Sequence, residues 1–81
     1  MIVHLKMFAA LRERSGVEAV RLQLATGATV GQAMKQVATE YPMIAQMLGK
    51  VATAVNLDFA DREVVLKEGD ELALIPPVSG G

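Results

Sequence analysis

Eighty-one residues, 52% of them hydrophobic, with a formal net charge of −1, describe one small domain with apolar surface to spare and no strong field of either sign. Eight Lys and Arg interspersed with nine Asp and Glu exclude a nucleic-acid footprint and a polybasic membrane anchor. The absence of cysteine excludes disulfides, cysteine-ligated zinc, iron–sulfur clusters and a thiol nucleophile, and it suits a reducing cytoplasm.

The first element is a strand over residues 2–8, with Val3, Leu5 and Met7 on one face and His4, Lys6 and Phe8 on the other. This alternation lacks the long apolar core of a signal peptide or membrane span, so neither is expected. Ala9 to Ser15 reads as a short helical or turn connection ended by Gly16. Val17 to Leu24 alternates again, with Val20, Leu22 and Leu24 inward, and the spacing predicts an antiparallel pair with the first strand. Thr26-Gly27-Ala28 is a turn. Thr29-Val30-Gly31-Gln32 then has the spacing of a capping box, and Val30, Ala33, Met34, Val37, Ala38 and Tyr41 fall on one helical face.

Pro42 disfavours helix at Tyr41, and Met43 to Leu48 reads as a short further turn of helix closed by Gly49 as a C-cap. Val51 to Asn56 is a strand, Leu57 to Asp61 a turn, Arg62 to Leu66 a short strand or connection, and Lys67-Glu68-Gly69-Asp70 another turn. Glu71 to Ile75 is the last strand, with Leu72 and Leu74 on one side and Glu71, Ala73 and Ile75 on the other. One amphipathic helix across a mixed sheet buries this set, which gives an α+β domain over residues 1–75. A chain this short buries about 60–65% of its unfolded surface. Some of its apolar content is therefore expected to meet a partner.

Residues 76–81 are expected to form an extended tail. Pro76-Pro77 ends the sheet, because each proline fixes φ and removes a backbone donor. Gly80-Gly81 has no side chains and passes through channels too narrow for other residues. The six residues from Pro76 to Gly81 span roughly 20 Å when extended. Phe8 and Ile75 lie on strand faces opposite the core residues. With Phe59 and Val78 they are expected to form an apolar patch beside the tail, unless Phe8 and Phe59 complete the core.

Conventional catalytic groups are sparse. His4 is the only histidine and has no evident partner for acid–base work, and Ser79 has no histidine near it in sequence. Asp58, Asp61 and Glu63 match no calcium loop, and the glycines form no phosphate-binding fingerprint, so no metal or nucleotide site is expected. The methionines, Met1, Met7, Met34, Met43 and Met47, read as core filler or the initiator. The carboxylate of Gly81 remains. It is a poor acyl electrophile until ATP converts it to an acyl-adenylate, after which it accepts sulfur or an amine.

Phe8-Ala9-Ala10-Leu11-Arg12-Glu13, Gly27-Ala28-Thr29-Val30-Gly31, Ala54-Val55-Asn56, Gly69-Asp70-Glu71 and Leu74-Ile75-Pro76-Pro77-Val78-Ser79-Gly80-Gly81 resemble, in that order, the small sulfur-carrying subunit of molybdopterin synthase, the MoaD family. The resemblance spans almost the whole chain. It implies a ubiquitin-like β-grasp fold with about five strands on one main helix. It further implies that a ubiquitin-activator-like enzyme uses ATP to adenylate Gly81, which becomes a thiocarboxylate. The sulfur then passes to cyclic pyranopterin monophosphate inside a complex of two small and two large subunits. Gly80 and Gly81 carry the chemistry on this reading, and Phe8, Phe59, Ile75, Pro76, Pro77, Val78 and Ser79 meet partners. No stably bound cofactor or metal is implied. Two alternatives stay open: the sulfur carrier of thiamine biosynthesis, which resembles the Pro-Pro-Val-Ser approach and the Phe8 to Glu13 segment less, and a ubiquitin-like protein modifier or interaction domain.

Overall fold

Alternating side chains set the first strand. In the computed structural model, which describes residues 1–77, β1 spans Ile2–Met7. Val3, Leu5 and Met7 are fully buried, while His4 and Lys6 face outward. Strand β2 (Ala19–Gln23) pairs antiparallel with it, from Ile2↔Gln23 to Lys6↔Ala19. Helix α1 (Ala9–Ser15) joins the two strands and buries Leu11. Phe8 is its N-cap rather than the last strand residue, and Gly16 closes it at φ 80°, its amide donating to the Arg12 carbonyl at 2.9 Å.

Helix α2 (Val30–Glu40) starts as its sequence predicts. Thr29 Oγ1 accepts from the Gln32 amide at 3.2 Å, and Gln32 Oε1 accepts from the Thr29 amide at 2.9 Å. Val30, Ala33, Met34 and Val37 enter the core, with Ala38 and Tyr41 packed at its margin. The segment after Pro42 departs from expectation. Pro42–Lys50 is a 3₁₀ helix that buries Ile44 and Leu48; Gly49 lies inside it, and Val51 is the C-cap. Met43, read as core filler, is 52% exposed.

Strands β3 (Ala52–Val55), β4 (Asp58–Phe59) and β5 (Glu71–Ile75) complete a five-stranded sheet in the order β2-β1-β5-β3-β4. Among the described residues only the β1–β5 pair is parallel. The short strand β4 corrects the expectation of a simple turn over Leu57 to Asp61. Because Val55 pairs with Asp58, Asn56 and Leu57 form a two-residue hairpin turn with φ 50° and 73°. Arg62 to Leu66 is a connection outside the five strands, with one isolated bridge, Thr29↔Val65. It lies close along the start of α2. The Gly31 amide donates to the Arg62 carbonyl at 2.9 Å, and a Cβ at position 31 would sit 3.2 Å from that oxygen. This close approach accounts for a glycine in the first turn of the helix.

The helices cover one sheet face, and Leu72 and Leu74 of β5 join Val3, Leu5 and Met7 beneath them in a single core. Among the described residues the other face carries no helix, and it holds the candidate site.

Candidate functional site: the open sheet face and the tail exit

Strand β5 pairs on both sides, with β1 and with β3, so the chain leaves the sheet from its centre. Ile75 and Pro76 are half-buried and Pro77 is exposed. Beside this exit the register assembles one row of side chains across all five strands: Ala19, Lys6, Ala73, Ala54 and Phe59. One step towards the tail, Ile75 pairs with Ala52. Phe8 directly follows Met7, which pairs with Leu74, and so stands level with Ile75.

The open face is therefore graded. At the start of β5, His4 is paired in register with both Arg21 and Glu71, and Lys6 Nζ lies 3.3 Å from Glu71 Oε2. Towards the tail the face is apolar. Ala54 and Ala73 are 6% and 8% exposed although they point away from the helices, so they pave the surface between larger neighbours. Phe59 is 81% exposed and Phe8 43%. Neither phenylalanine completes the core. The structure thus places Phe8, Phe59, Ile75, Pro76 and Pro77 on the same side as the tail exit, while the predicted residues Val78, Ser79, Gly80 and Gly81 lie outside the described residues.

Other chemistry is meagre. No described hydrogen bond uses the His4 ring, and its place on an inner strand, not a sheet edge, puts it among exposed polar side chains. No group of three or more His, Cys, Asp or Glu among the described residues is placed to hold a metal ion. Asp61 uses Oδ1 to accept the Glu63 amide at 2.9 Å, which is a loop cap. No helix among the described residues is long and apolar enough to cross a membrane.

A model described as the ThiS family matches residues 5–81. The chain belongs to this family. This ThiS-family chain is 37% identical over 82 residues to the molybdopterin synthase sulfur carrier subunit of Mycobacterium tuberculosis, the match covering 98% of this chain and 96% of the relative. Among solved structures, the small archaeal modifier protein 1 of Haloferax volcanii superposes with TM-score 0.87 at 30% identity, covering 95% of this chain and 98% of the other. The complex of subunits 1 and 2 of the molybdopterin-converting factor from Helicobacter pylori contains a chain that matches with TM-score 0.73 at 27% identity, covering 100% of both. The β-grasp, ubiquitin-like architecture and the kinship with MoaD-type small subunits thus stand on fold and sequence together.

The sequence did not disclose the paving role of Ala54 and Ala73. Alanine in an alternating strand reads as a small outward residue, and only the cross-strand register reveals what surrounds it. Leu57, 88% exposed at the hairpin tip, was equally concealed.

Proposed function

We propose that this chain is the sulfur-carrier small subunit of a cytoplasmic molybdopterin synthase. The observation that carries the reading is the exit of β5 from the sheet centre through Pro76-Pro77, beside an apolar open face, in a chain aligned nearly end to end with a sulfur carrier subunit. An ubiquitin-activator-like enzyme docks on that face through Phe8, Phe59 and Ile75 and takes the tail into its active site. There an oxygen of the Gly81 carboxylate attacks the α-phosphorus of ATP, pyrophosphate leaves, and an acyl-adenylate forms. A donor of sulfur at the oxidation level of sulfide then attacks the acyl carbon, the bond to the AMP oxygen breaks, AMP leaves, and a thiocarboxylate remains.

In the complex with the large subunit, in a heterotetramer of two small and two large subunits, the thiocarboxylate sulfur attacks an oxygen-bearing carbon of cyclic pyranopterin monophosphate. The carbon–oxygen bond there breaks as the carbon–sulfur bond forms, once for each of the dithiolene's two sulfurs. Water then cleaves the acyl–sulfur bond, the sulfur stays on the pterin, and Gly81 returns as a carboxylate. Pro76 and Pro77 stiffen the approach to Gly80 and Gly81, and Val78 and Ser79 meet the partner. The pterin pocket and the proton transfers belong to the large subunit, since the described part of this chain offers one histidine without a base partner and no metal cluster. Mixing the thiocarboxylated chain with cyclic pyranopterin monophosphate should give dithiolene product only when the large subunit is present. Comparable turnover without that subunit refutes the division of labour.

The likeness to the Haloferax volcanii modifier protein supports a second reading, in which the activated Gly81 is joined to lysine amines of other proteins. Peptide mass spectrometry of proteins from the native cell separates the two: lysines carrying the Gly80-Gly81 remnant belong to the modifier reading alone.

A further inference from the structure

A groove of about 290 Å³ lies beside the tail exit, lined by Pro76 and Pro77, by Met43 and Met47 of the 3₁₀ segment, and by two cations, Arg14 at the end of α1 and Lys50. Among the described residues no carboxylate lines it. Lys6 and Arg12 have acidic partners, Glu71 and Glu18, but neither Arg14 nor Lys50 enters an ion pair among the described residues. Met43 stays 52% exposed, and methionine adapts its shape to an incoming apolar surface.

We infer that this groove is a second docking surface, and that it takes an apolar segment bearing carboxylates from the large synthase subunit, which receives the tail. The inference rests on the sulfur-carrier reading above and names the chemistry of the partner. A protein that draws the residues beyond Pro77 into an active site must close around Pro76 and Pro77, and those prolines are part of the groove wall. Closure removes Met43 and Met47 from water, which favours binding. It also removes Arg14 and Lys50 from water, and a cation desolvated without a counter-charge opposes binding. Only an anionic partner segment satisfies both demands. Before contact, the same two cations draw that segment in, so their effect falls on the association rate and is weakened by salt.

The test is the affinity, association rate and salt dependence of the full chain binding to its cognate large synthase subunit. The double variant Arg14→Gln/Lys50→Gln leaves every described hydrogen bond and ion pair intact, and circular dichroism checks that it folds. It should bind roughly fivefold more weakly at low salt, with the loss in association rate and a shallower salt dependence. Charge reversal, Arg14→Glu/Lys50→Glu, should weaken binding by at least about tenfold, because like charges then meet across the contact. Wild-type binding with both double variants unchanged in affinity and salt dependence overturns the groove and leaves the sulfur-carrier reading intact. Failure of the wild-type chain to bind the large subunit at all refutes the sulfur-carrier reading, and the groove proposal with it. If removal of residues 78–81 shifts the methyl NMR signals of Met43 and Met47 in the isolated chain while the charge variants bind normally, the groove holds the chain's own tail, and the proposal is wrong.

Discussion

Asn56 and Asp70 meet at 2.9 Å, the side-chain Nδ2 of the first donating to Oδ1 of the second. Asn56 Oδ1 also accepts the Glu71 amide at 3.0 Å, its own amide donates to the Glu71 carbonyl at 2.9 Å, and Asp70 Oδ2 accepts the Lys67 amide at 2.8 Å. Two of the short motifs on which the resemblance to the MoaD family rests, Ala54-Val55-Asn56 and Gly69-Asp70-Glu71, are therefore halves of one clamp. It joins the end of β3 to the start of β5, the strand that delivers the tail.

Breaking the clamp should cost stability without touching the open face. Asn56→Ala removes both side-chain bonds and places alanine at φ 50°, so a loss of roughly 1–2 kcal/mol is expected. Chemical denaturation measures it. An unchanged midpoint would mean that the backbone ladder alone holds β3 against β5.

The adjacent position should respond in the opposite direction. Leu57 holds φ 73° while 88% exposed, so the chain bears a left-handed side-chain conformation with almost no burial in return. Leu57→Gly gives the Asn-Gly pair that this hairpin turn favours, and the unfolded chain's added freedom offsets part of the gain. A net stabilisation of about 0.5–1 kcal/mol is expected in thermal or chemical unfolding. A loss of stability would show that Leu57 contributes packing.

These residues also explain the limits of the sequence. The Val3-Leu5-Met7 alternation, the Thr29–Gln32 capping box and the apolar face of α2 were legible because each rests on a local period or a local hydrogen bond. Strand β4 was hidden because its turn puts leucine where glycine is the usual signal. The 3₁₀ segment was hidden because Ile44 and Leu48 at i and i+4 suit a short α-helix equally well. At the candidate site, Phe8, Ile75 and the proline stop were readable from strand parity, whereas Ala54, Ala73, Arg14 and Lys50 acquire meaning only through partners distant in sequence.

Phe59 and Leu74 should separate recognition from folding. Phe59→Ala removes a ring that is 81% exposed, so the melting temperature should hardly move, while affinity for the large subunit or the activating enzyme falls by about 2 kcal/mol if the ring is an interface anchor. Leu74→Ala empties a fully buried site and should cost about 2–5 kcal/mol of stability. Calorimetric titration and thermal melts of both variants check this. Unchanged affinity of Phe59→Ala would remove β4 from the docking face.

The central claim concerns Gly81, and intact-mass and C-terminal peptide mass spectrometry of the chain isolated from its native cell test it most directly. A fraction of the chain should carry sulfur in place of one terminal oxygen, and deletion of Gly81 should abolish that species while the thermal melt stays unchanged. A chain whose terminus is never found as a thiocarboxylate, even when molybdenum cofactor synthesis is running, or a Gly81 deletion that still supports it, would contradict the account.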